Sequence, residues 1–276
     1  GEACVVSARR LPVESLPEGG GRVELSRDAA RHAKVLRLGP GDPVILFDGR
    51  GRHAEGRIER VDEGKVVCEV GPATADAPRD HTSRLHLVQA LPKGSKLDDI
   101  VRMATELGAA GIHLVSTRNT VVRLDEERGD RRRERLVRIA VEAARQSERD
   151  DVPEITGPEP LFDAVRRVPE GALRIVACGR SGGGLRDLRA DEAWIVVGPE
   201  GGLAPDEVDS LVDLGFRAIS LGPTVLRVET AVPVSDAKKT AAVSPATAGR
   251  LRAQRVNRSA GPIGRAAVGS PASQRS

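Results

Sequence analysis

From residue 85 onward, short apolar segments alternate with stretches in which apolar residues recur at helical spacing. In chain order, the apolar segments are LHLVQAL, GIHLVST, RIVACG, AWIVVG and RAISLG. Strands that alternate with helices are typical of a parallel sheet, because parallel neighbours need a crossover connection between them. The pattern therefore predicts an α/β fold in which a mostly parallel sheet carries helices on both faces.

Three of the intervening stretches predict helices with recognisable ends. The first follows Ser95, which forms a capping-box signature with Asp98, and it stops at Gly108. The second is expected at about 130–146. The third is expected at 205–214, where a proline and two acidic residues occupy the first turn.

The part of the chain before residue 77 has a different pattern. Between residues 22 and 71, short segments of period-two character are separated by glycine-containing turns, which predicts a small β-barrel or meander. We assign residues 1–76 to this unit, 77–84 to a linker and 85–243 to the α/β domain. Residues 244–276 are rich in Ser, Ala, Pro, Gly and Arg, which predicts a disordered basic tail.

Composition excludes several classes of protein. The net charge of +3 depends on the tail, which holds six arginines and no acid, so the chain as a whole is not a basic nucleic-acid binder. No segment is apolar enough to span a membrane, and the expected location is the cytoplasm. Cys4, Cys68 and Cys178 are scattered singly, so we expect no metal site.

Glycine-rich turns follow three of the late strand candidates, at 177–184, 197–203 and 221–231. In an open α/β sheet, ligands bind at the carboxyl ends of the strands, and glycine lets the backbone approach them closely. One such cluster is more often only a tight turn, but three at successive strand ends predict a ligand held mainly by backbone. The spacing matches neither a dinucleotide fingerprint nor a P-loop.

Two of these strings resemble a known family. The chain looks like the ribosomal RNA small-subunit uridine-N3 methyltransferases of the SPOUT superfamily. Four segments carry this resemblance: VGPEGGL, LGPTVLRVETA, KGSKLDDIVRMATELGAAGIHLVSTRNTVV and AARQSERDDVPEI. The resemblance covers roughly residues 1–234. It implies a PUA-like RNA-binding barrel, a knotted α/β domain, S-adenosylmethionine as the cofactor, a homodimer, and 16S rRNA in the small ribosomal subunit as the partner.

The resemblance also implies which residues form the site. The first cofactor loop holds Gly198, Glu200, Gly201 and Gly202, the second holds Leu221, Gly222, Leu226 and Arg227, and Glu229 and Thr230 complete the motif.

The reaction gives three of these residues a candidate catalytic role. Uracil N3 carries a proton that must be removed or shared before methylation, so Glu200 or Glu229 could act as a general base if burial raised its pKa. Hydrogen bonding to the loop is the commoner role for such a glutamate. Arg227 could stabilise the charge that develops on the uracil, or it could be a structural partner of a glutamate.

His32, Lys34 and Arg37 in the N-terminal unit have two interpretations, a solvated surface or an RNA contact, and the resemblance favours the RNA contact. The basic segment at 128–138 has two interpretations, the solvated face of a helix or an rRNA contact. With three phenylalanines, one tryptophan and no tyrosine, a base-stacking platform is not expected, and Trp194 and Phe216 are predicted to lie in the core.

The chain departs from the family pattern in two places. Thr224 stands where members commonly have an arginine, and the sequence turns polar within a few residues of the ETA string, where members continue an apolar helix. These departures leave a second hypothesis open, that of an RNA-binding or ribosome-assembly protein that kept the fold and lost turnover.

Overall fold

The computed structural model describes residues 8–62, 65–75, 84–121, 126–178 and 190–220. The N-terminal part forms a six-stranded sheet with one helix, α1 (Arg27–Val35), between its second and third strands. The strands are β1 (Arg9–Pro12), β2 (Gly21–Glu24), β3 (Pro43–Phe47), β4 (Arg52–Val61), β5 (Val66–Val70) and β6 (Thr74–Ala75). Their order is β1-β3-β4-β5-β2 with β6 beside β4, and every pairing is antiparallel except that of β1 with β3.

Helix α1 is an element that the sequence patterns did not predict. Its first turn is capped by the Ser26 hydroxyl, which accepts a hydrogen bond from the Ala29 N–H at 3.3 Å. Its inner face consists of alanines rather than large apolar residues. Ala29, Ala30 and Ala33 are buried in one cluster with side chains of the sheet. Such small residues give a weak apolar signal in sequence, although they allow the helix to pack closely.

The C-terminal part is the predicted α/β sheet. Its elements are β7 (Arg84–Ala90), α2 (Lys96–Leu107), β8 (Gly111–Ser116), α3 (Glu126–Gln146), β9 (Glu154–Pro160), α4 (Leu161–Val165), β10 (Leu173–Ala177), β11 (Glu192–Val197), α5 (Pro205–Asp213) and β12 (Arg217–Ile219). The strand order is β12-β10-β11-β7-β8-β9, and all five pairings are parallel.

Helices cover both faces of this sheet, as predicted. One apolar cluster joins the sheet to α2 and α3, and another joins it to α4 and α5. Trp194 and Phe216 belong to the second cluster and are buried, which confirms their predicted core positions. The fold class, a parallel α/β sheet preceded by a mainly antiparallel unit, is therefore confirmed for the described residues.

Several local expectations need correction. The side chain of Ser95 makes no capping hydrogen bond, and Asp98 instead forms an ion pair with Arg135 of α3. Helix α3 begins at Glu126, four residues before the expected start. The edge strand β9 and the short helix α4 were not predicted, because β9 contains Gly and Pro and lacks an apolar alternation. Gly108 does end α2, in the left-handed conformation with a φ of 106°.

A polar contact joins the two parts of the protein. The carboxylate of Asp150, which is buried, forms an ion pair with Arg10 of β1 and lies 2.7 Å from Nδ1 of His53 in β4. Backbone bonds run beside it, since Gly51 N–H donates to the Asp150 carbonyl and Val152 N–H donates to the Gly49 carbonyl. The contact therefore uses both a buried charge and the main chain.

Two histidines stack against the only tryptophan at the amino-terminal edge of the second sheet. The ring centroids of His86 and His113 each lie 4.4 Å from that of Trp194. The two imidazoles are 3.1 Å apart between His86 Nδ1 and His113 Nε2, and His113 Nδ1 lies 2.8 Å from the Thr156 hydroxyl. Burial, then His86 and Arg167, lower the pKa of His113 to about 4, against a smaller raising effect of Glu159.

This pKa shift predicts acid sensitivity of the fold. A histidine whose pKa is depressed in the folded state takes up a proton in the unfolded state first, so stability falls as the pH drops from about 6.5 toward 4. When the pH falls from about 7.5 to about 5, the titration of His113 alone should lower the unfolding free energy by about 2 kcal/mol. Urea unfolding of the wild-type protein and of His113→Gln at the two pH values measures this loss. An equal pH dependence of the two proteins would contradict the assignment.

Three expectations concern residues outside those described. They are the linker at 77–84, the segment 221–243 that would complete a knot, and the tail at 244–276. Of the linker, only Arg84 is described, and it is the first residue of β7.

Candidate functional site

The carboxyl ends of three neighbouring strands surround an open cavity. β7 lies between β11 and β8 in the sheet, so the turns that follow these strands meet at one edge. The cavity has a volume of about 430 Å³, within the range of roughly 300–1,000 Å³ that small-ligand sites occupy. Its lining consists of Leu91, Lys93, Arg118, Asn119, Thr120, Val121, Pro199, Glu200 and Gly201.

The first predicted cofactor loop, 198–202, forms one wall of this cavity. It is a tight turn in which Gly202 N–H donates to the Pro199 carbonyl at 2.9 Å. A Cβ on Gly198 would lie 3.0 Å from the backbone nitrogen of Leu203 and 3.1 Å from the carbonyl carbon of Gly202. Gly202 has a φ of 69°, which favours glycine. The two glycines therefore allow the loop to fold back on itself.

Glu200 is held by charge and by main-chain hydrogen bonds. Lys96 Nζ lies 2.9 Å from its carboxylate, and the Lys93 N–H donates to both of its oxygens at 3.2 Å. Burial would raise the pKa of Glu200, but the hydrogen bonds from Lys96 and from backbone N–H groups outweigh it and lower that pKa. The expectation of a pKa raised by burial is wrong for this carboxyl. The contacts favour a loop-anchoring role over that of a general base.

A second set of contacts holds the loop from the turn that follows β8. The Asn119 amide donates to the carbonyls of Gly201 and Gly202, at 3.3 and 3.1 Å. The carboxylate of Glu207 accepts from two backbone N–H groups, that of Arg118 at 2.8 Å and that of Ala204 at 2.9 Å. One turn therefore fixes both the loop and the start of α5.

Sequence reasoning missed Lys96, Asn119 and Glu207. Each had a weak signal: Lys96 stands at the start of a predicted helix, Asn119 lies two residues after a predicted strand, and Glu207 lies in the first turn of α5. In sequence, all three have ordinary local explanations. Only the three-dimensional arrangement shows that Lys96 and Asn119 reach the 198–202 loop and that Glu207 joins the start of α5 to the turn after β8.

The other predicted site residues lie outside the described part of the chain. They are Leu221, Gly222, Thr224, Leu226, Arg227, Glu229 and Thr230. The two strands that lead into these turns, β12 before the turn at 221–231 and β10 before the turn at 177–184, are described. At their ends, Cys178 N–H donates to the Ile219 carbonyl at 2.9 Å. Because β12, β10 and β11 are neighbours, all three glycine-rich turns start at the same edge of the sheet.

The predicted RNA-contacting residues are on or just after α1, away from this edge. Lys34 and Arg37 are exposed. His32 is half-buried, and its Nε2 atom is buried without a hydrogen-bond partner among the described residues. Burial and the nearby Arg145 lower the pKa of His32, against a smaller raising effect of Glu142. His32 thus faces α3 rather than open solvent, which makes it the weakest of the three candidates.

Across the described ranges, no group of three or more His, Cys, Asp or Glu side chains has the geometry of a metal site. No helix in the described part of the chain has the length and apolar character needed to cross a bilayer.

The chain is similar to known RNA methyltransferases over most of its length. Residues 79–237 match the family described as RNA methyltransferase domain, and residues 25–71 match the RNA methyltransferase PUA domain. Ribosomal RNA small subunit methyltransferase E of Mycobacterium tuberculosis is 35% identical over 81% of this chain and 87% of the relative. The enzyme of the same name from Bacillus subtilis is 33% identical over 71% and 80%.

Solved structures give the same result. A methyltransferase of Legionella pneumophila in complex with SAM has a TM-score of 0.79 and 29% identity, and covers 86% of this chain and 98% of its own. Ribosomal RNA small subunit methyltransferase E of Neisseria gonorrhoeae, bound to S-adenosylmethionine, has a TM-score of 0.77 and 26% identity. It covers 83% of this chain and 95% of its own.

Proposed function

Because the chain belongs to the ribosomal RNA small subunit methyltransferase E family, it is an S-adenosylmethionine-dependent rRNA methyltransferase, and we propose that its target is N3 of a uridine in 16S rRNA. The observation that carries the proposal is the 198–202 loop at the carboxyl edge of the sheet, within the matched residues 79–237. A homodimer that acts on the small ribosomal subunit in the cytoplasm completes the proposal. The resemblance stated above implies the homodimer and the small ribosomal subunit, and the cytoplasm is the location expected from the sequence.

The residues at this edge fit a cofactor held by backbone. We assign Gly198, Glu200, Gly201 and Gly202 to one side of the cofactor site, and the segment that contains Leu221, Gly222, Leu226 and Arg227 to the other. The tight turn at Gly198 supports this assignment, because it presents main-chain groups without side chains in between. S-adenosylmethionine, when bound, supplies an electrophilic methyl group.

A residue of the protein must accept the proton on uracil N3. Glu200 is already committed to Lys96 and to the Lys93 N–H, and its lowered pKa makes it a poor proton acceptor. This leaves Glu229 as the carboxylate assigned to the proton, and Arg227 as the cation that stabilises the uracil as the proton is lost. Glu200 then acts by fixing the loop, and correct alignment of the base contributes to the rate.

The exposed face of α1 is the proposed RNA contact of the N-terminal unit. Arg27, Arg31 and Lys34 follow helical spacing along one side, and Arg37 lies just beyond the helix. No carboxylate among the described residues lies within ion-pair distance of these four cations. Elsewhere in the same unit, by contrast, Arg60 is paired with Asp62 at 3.2 Å. Unpaired cations along a helix suit a phosphate backbone.

The double variant Arg31→Ala and Lys34→Ala should weaken RNA binding and flatten its salt dependence. Each lost phosphate contact should reduce the slope of log K against log salt by about 0.7 to 0.9, because fewer counterions are released. Filter binding of 16S rRNA over a range of salt concentrations measures the slope. Arg60→Ala, which removes a cation that is already paired, should leave it unchanged. An unaltered slope in the double variant would exclude α1 as a phosphate contact.

The proposed function is tested by methyl transfer to small ribosomal subunits that lack the modification. Incubation with S-adenosylmethionine should produce 3-methyluridine, detected by mass spectrometry of the digested rRNA. Absence of the product under conditions where a related enzyme forms it would favour a protein that binds RNA without turnover. That alternative rests on Thr224 and on the polar sequence after residue 231, and nothing in the described ranges favours it.

A further inference from the structure

We propose that the cavity between the 198–202 loop and the turn at 117–121 receives the target nucleotide. Its base would lie against the apolar wall and an adjacent phosphate at Lys93. This inference rests on the proposed function, since it concerns the RNA substrate of the same reaction. It assigns to the nucleotide a site that shares only the 198–202 loop with the proposed cofactor site.

The first argument is the strand order, β12-β10-β11-β7-β8. The two turns assigned to the cofactor follow β12 and β11, with β10 between them, on one side of the sheet edge. The cavity lies above β11, β7 and β8, on the other side, and the 198–202 loop is the wall that the two regions share. A ligand in the cavity therefore contacts the same loop as the cofactor, a suitable arrangement for a methyl acceptor.

The second argument is the apolar part of the lining. Leu91 and Pro199 contribute to the wall, and Val121 stands at the cavity with 66% of its surface exposed. Together these three side chains make part of the lining apolar, as is usual for a small-ligand site. Enzymes that modify a base take it out of its stack, and the flipped base then needs apolar surfaces to replace its stacked neighbours.

The third argument is the distribution of charge. Among the described residues, Lys93 and Arg118 are the cations that line the cavity, and Lys96 lies beside it. Lys96 is paired with Glu200, and Arg118 forms two hydrogen bonds with Asp206. Lys93 uses only its backbone N–H, toward Glu200, and no carboxylate among the described residues lies within ion-pair distance of its ammonium group. Its side chain is exposed, so it can meet a phosphate of the RNA.

Two variants test the site, Lys93→Ala and Val121→Asp. Each should raise the KM for small ribosomal subunits about tenfold, while the Kd for S-adenosylmethionine, measured by calorimetry, stays within about twofold. Lys93→Ala keeps the backbone N–H that holds Glu200, so the loop is retained. Val212→Asp is the matched control for an exposed valine, because Val212 is 47% exposed on α5 and does not line the cavity; it should change neither quantity.

A photochemical measurement locates the nucleotide directly. Small subunits whose rRNA carries 4-thiouridine at a fraction of its uridines should cross-link to peptides that contain 91–93 or 117–121. Cross-links confined to other peptides, or an unchanged KM in both variants, would overturn the proposal. A loss of cofactor affinity in both variants would overturn it too, because the cavity would then belong to the cofactor. Failure of the wild-type protein to form 3-methyluridine would count against the function instead, and the cross-linking result would still test the cavity.

Discussion

Replacing Arg227 by alanine should lower the rate of methyl transfer about a hundredfold at saturating cofactor and RNA, with little change in cofactor affinity. The physical reason is that loss of the N3 proton leaves negative charge on the uracil. In the proposed role, the Arg227 guanidinium lies beside the cofactor loop and stabilises that charge without reorganisation of solvent. With Thr224 in place of the family's second cation, this stabilisation depends on one arginine. Single-turnover kinetics and calorimetry separate the rate from the affinity.

Two further variants make the Arg227 result specific. Arg227→Lys should recover only part of the rate, because an ammonium group keeps the charge but lacks the planar donor fork. Arg217→Ala removes an exposed arginine of β12 and should leave the rate unchanged. If Arg227 is only a structural partner of a glutamate, its substitution should lower the melting temperature and the cofactor affinity together. Full turnover in Arg227→Ala would refute the catalytic role.

Asp150→Ala should cost about 3–5 kcal/mol of unfolding free energy, because it breaks a buried ion pair by removing one partner. Asp150 is 4% exposed and joins Arg10 and His53 of the N-terminal unit to the α/β domain. Its removal leaves the guanidinium of Arg10, already little exposed, without its buried counter-charge. Urea denaturation monitored by the fluorescence of Trp194 measures the loss.

The control for Asp150 is an aspartate whose ion pair is open to solvent. Asp99 pairs with Arg102 at 2.9 Å, and both side chains are more than half exposed. Asp99→Ala should therefore change the unfolding free energy by less than about 1 kcal/mol. A loss below that value in Asp150→Ala as well would mean that the contact between the two units contributes little to stability.

Sequence patterns predict the second sheet well because its strands are buried on both faces. Five of its six strands coincide with continuous apolar segments, from Arg84–Ala90 to Arg217–Ile219. The exceptions follow from the same physics. The edge strand Glu154–Pro160 needs no apolar alternation, and α1 packs through alanines, whose apolar signal is weak.

The sequence predicts the loop of the described site but not the residues that hold it in place. The 198–202 loop is recognisable because its glycines are required by a local turn. Its supports are not, because they come from distant parts of the chain: Asn119 lies 82 positions from Gly201, and Lys93 lies 107 positions from Glu200. A pattern within a window of residues carries no information about such pairs, which depend on the insertion of β11 beside β7.

That insertion has a consequence for synthesis. Arg84 of β7 pairs with Glu192 of β11, 108 positions later, so β7 has a neighbour only on its β8 side until residue 197 has left the ribosome. Until then, the nascent chain exposes an open edge of apolar strand, the kind of surface that recruits other strands. We therefore expect chains arrested before β11 to aggregate or to be held by chaperones. During its own synthesis on a ribosome, the protein would therefore be prone to aggregation until β11 has been made and can pair with β7.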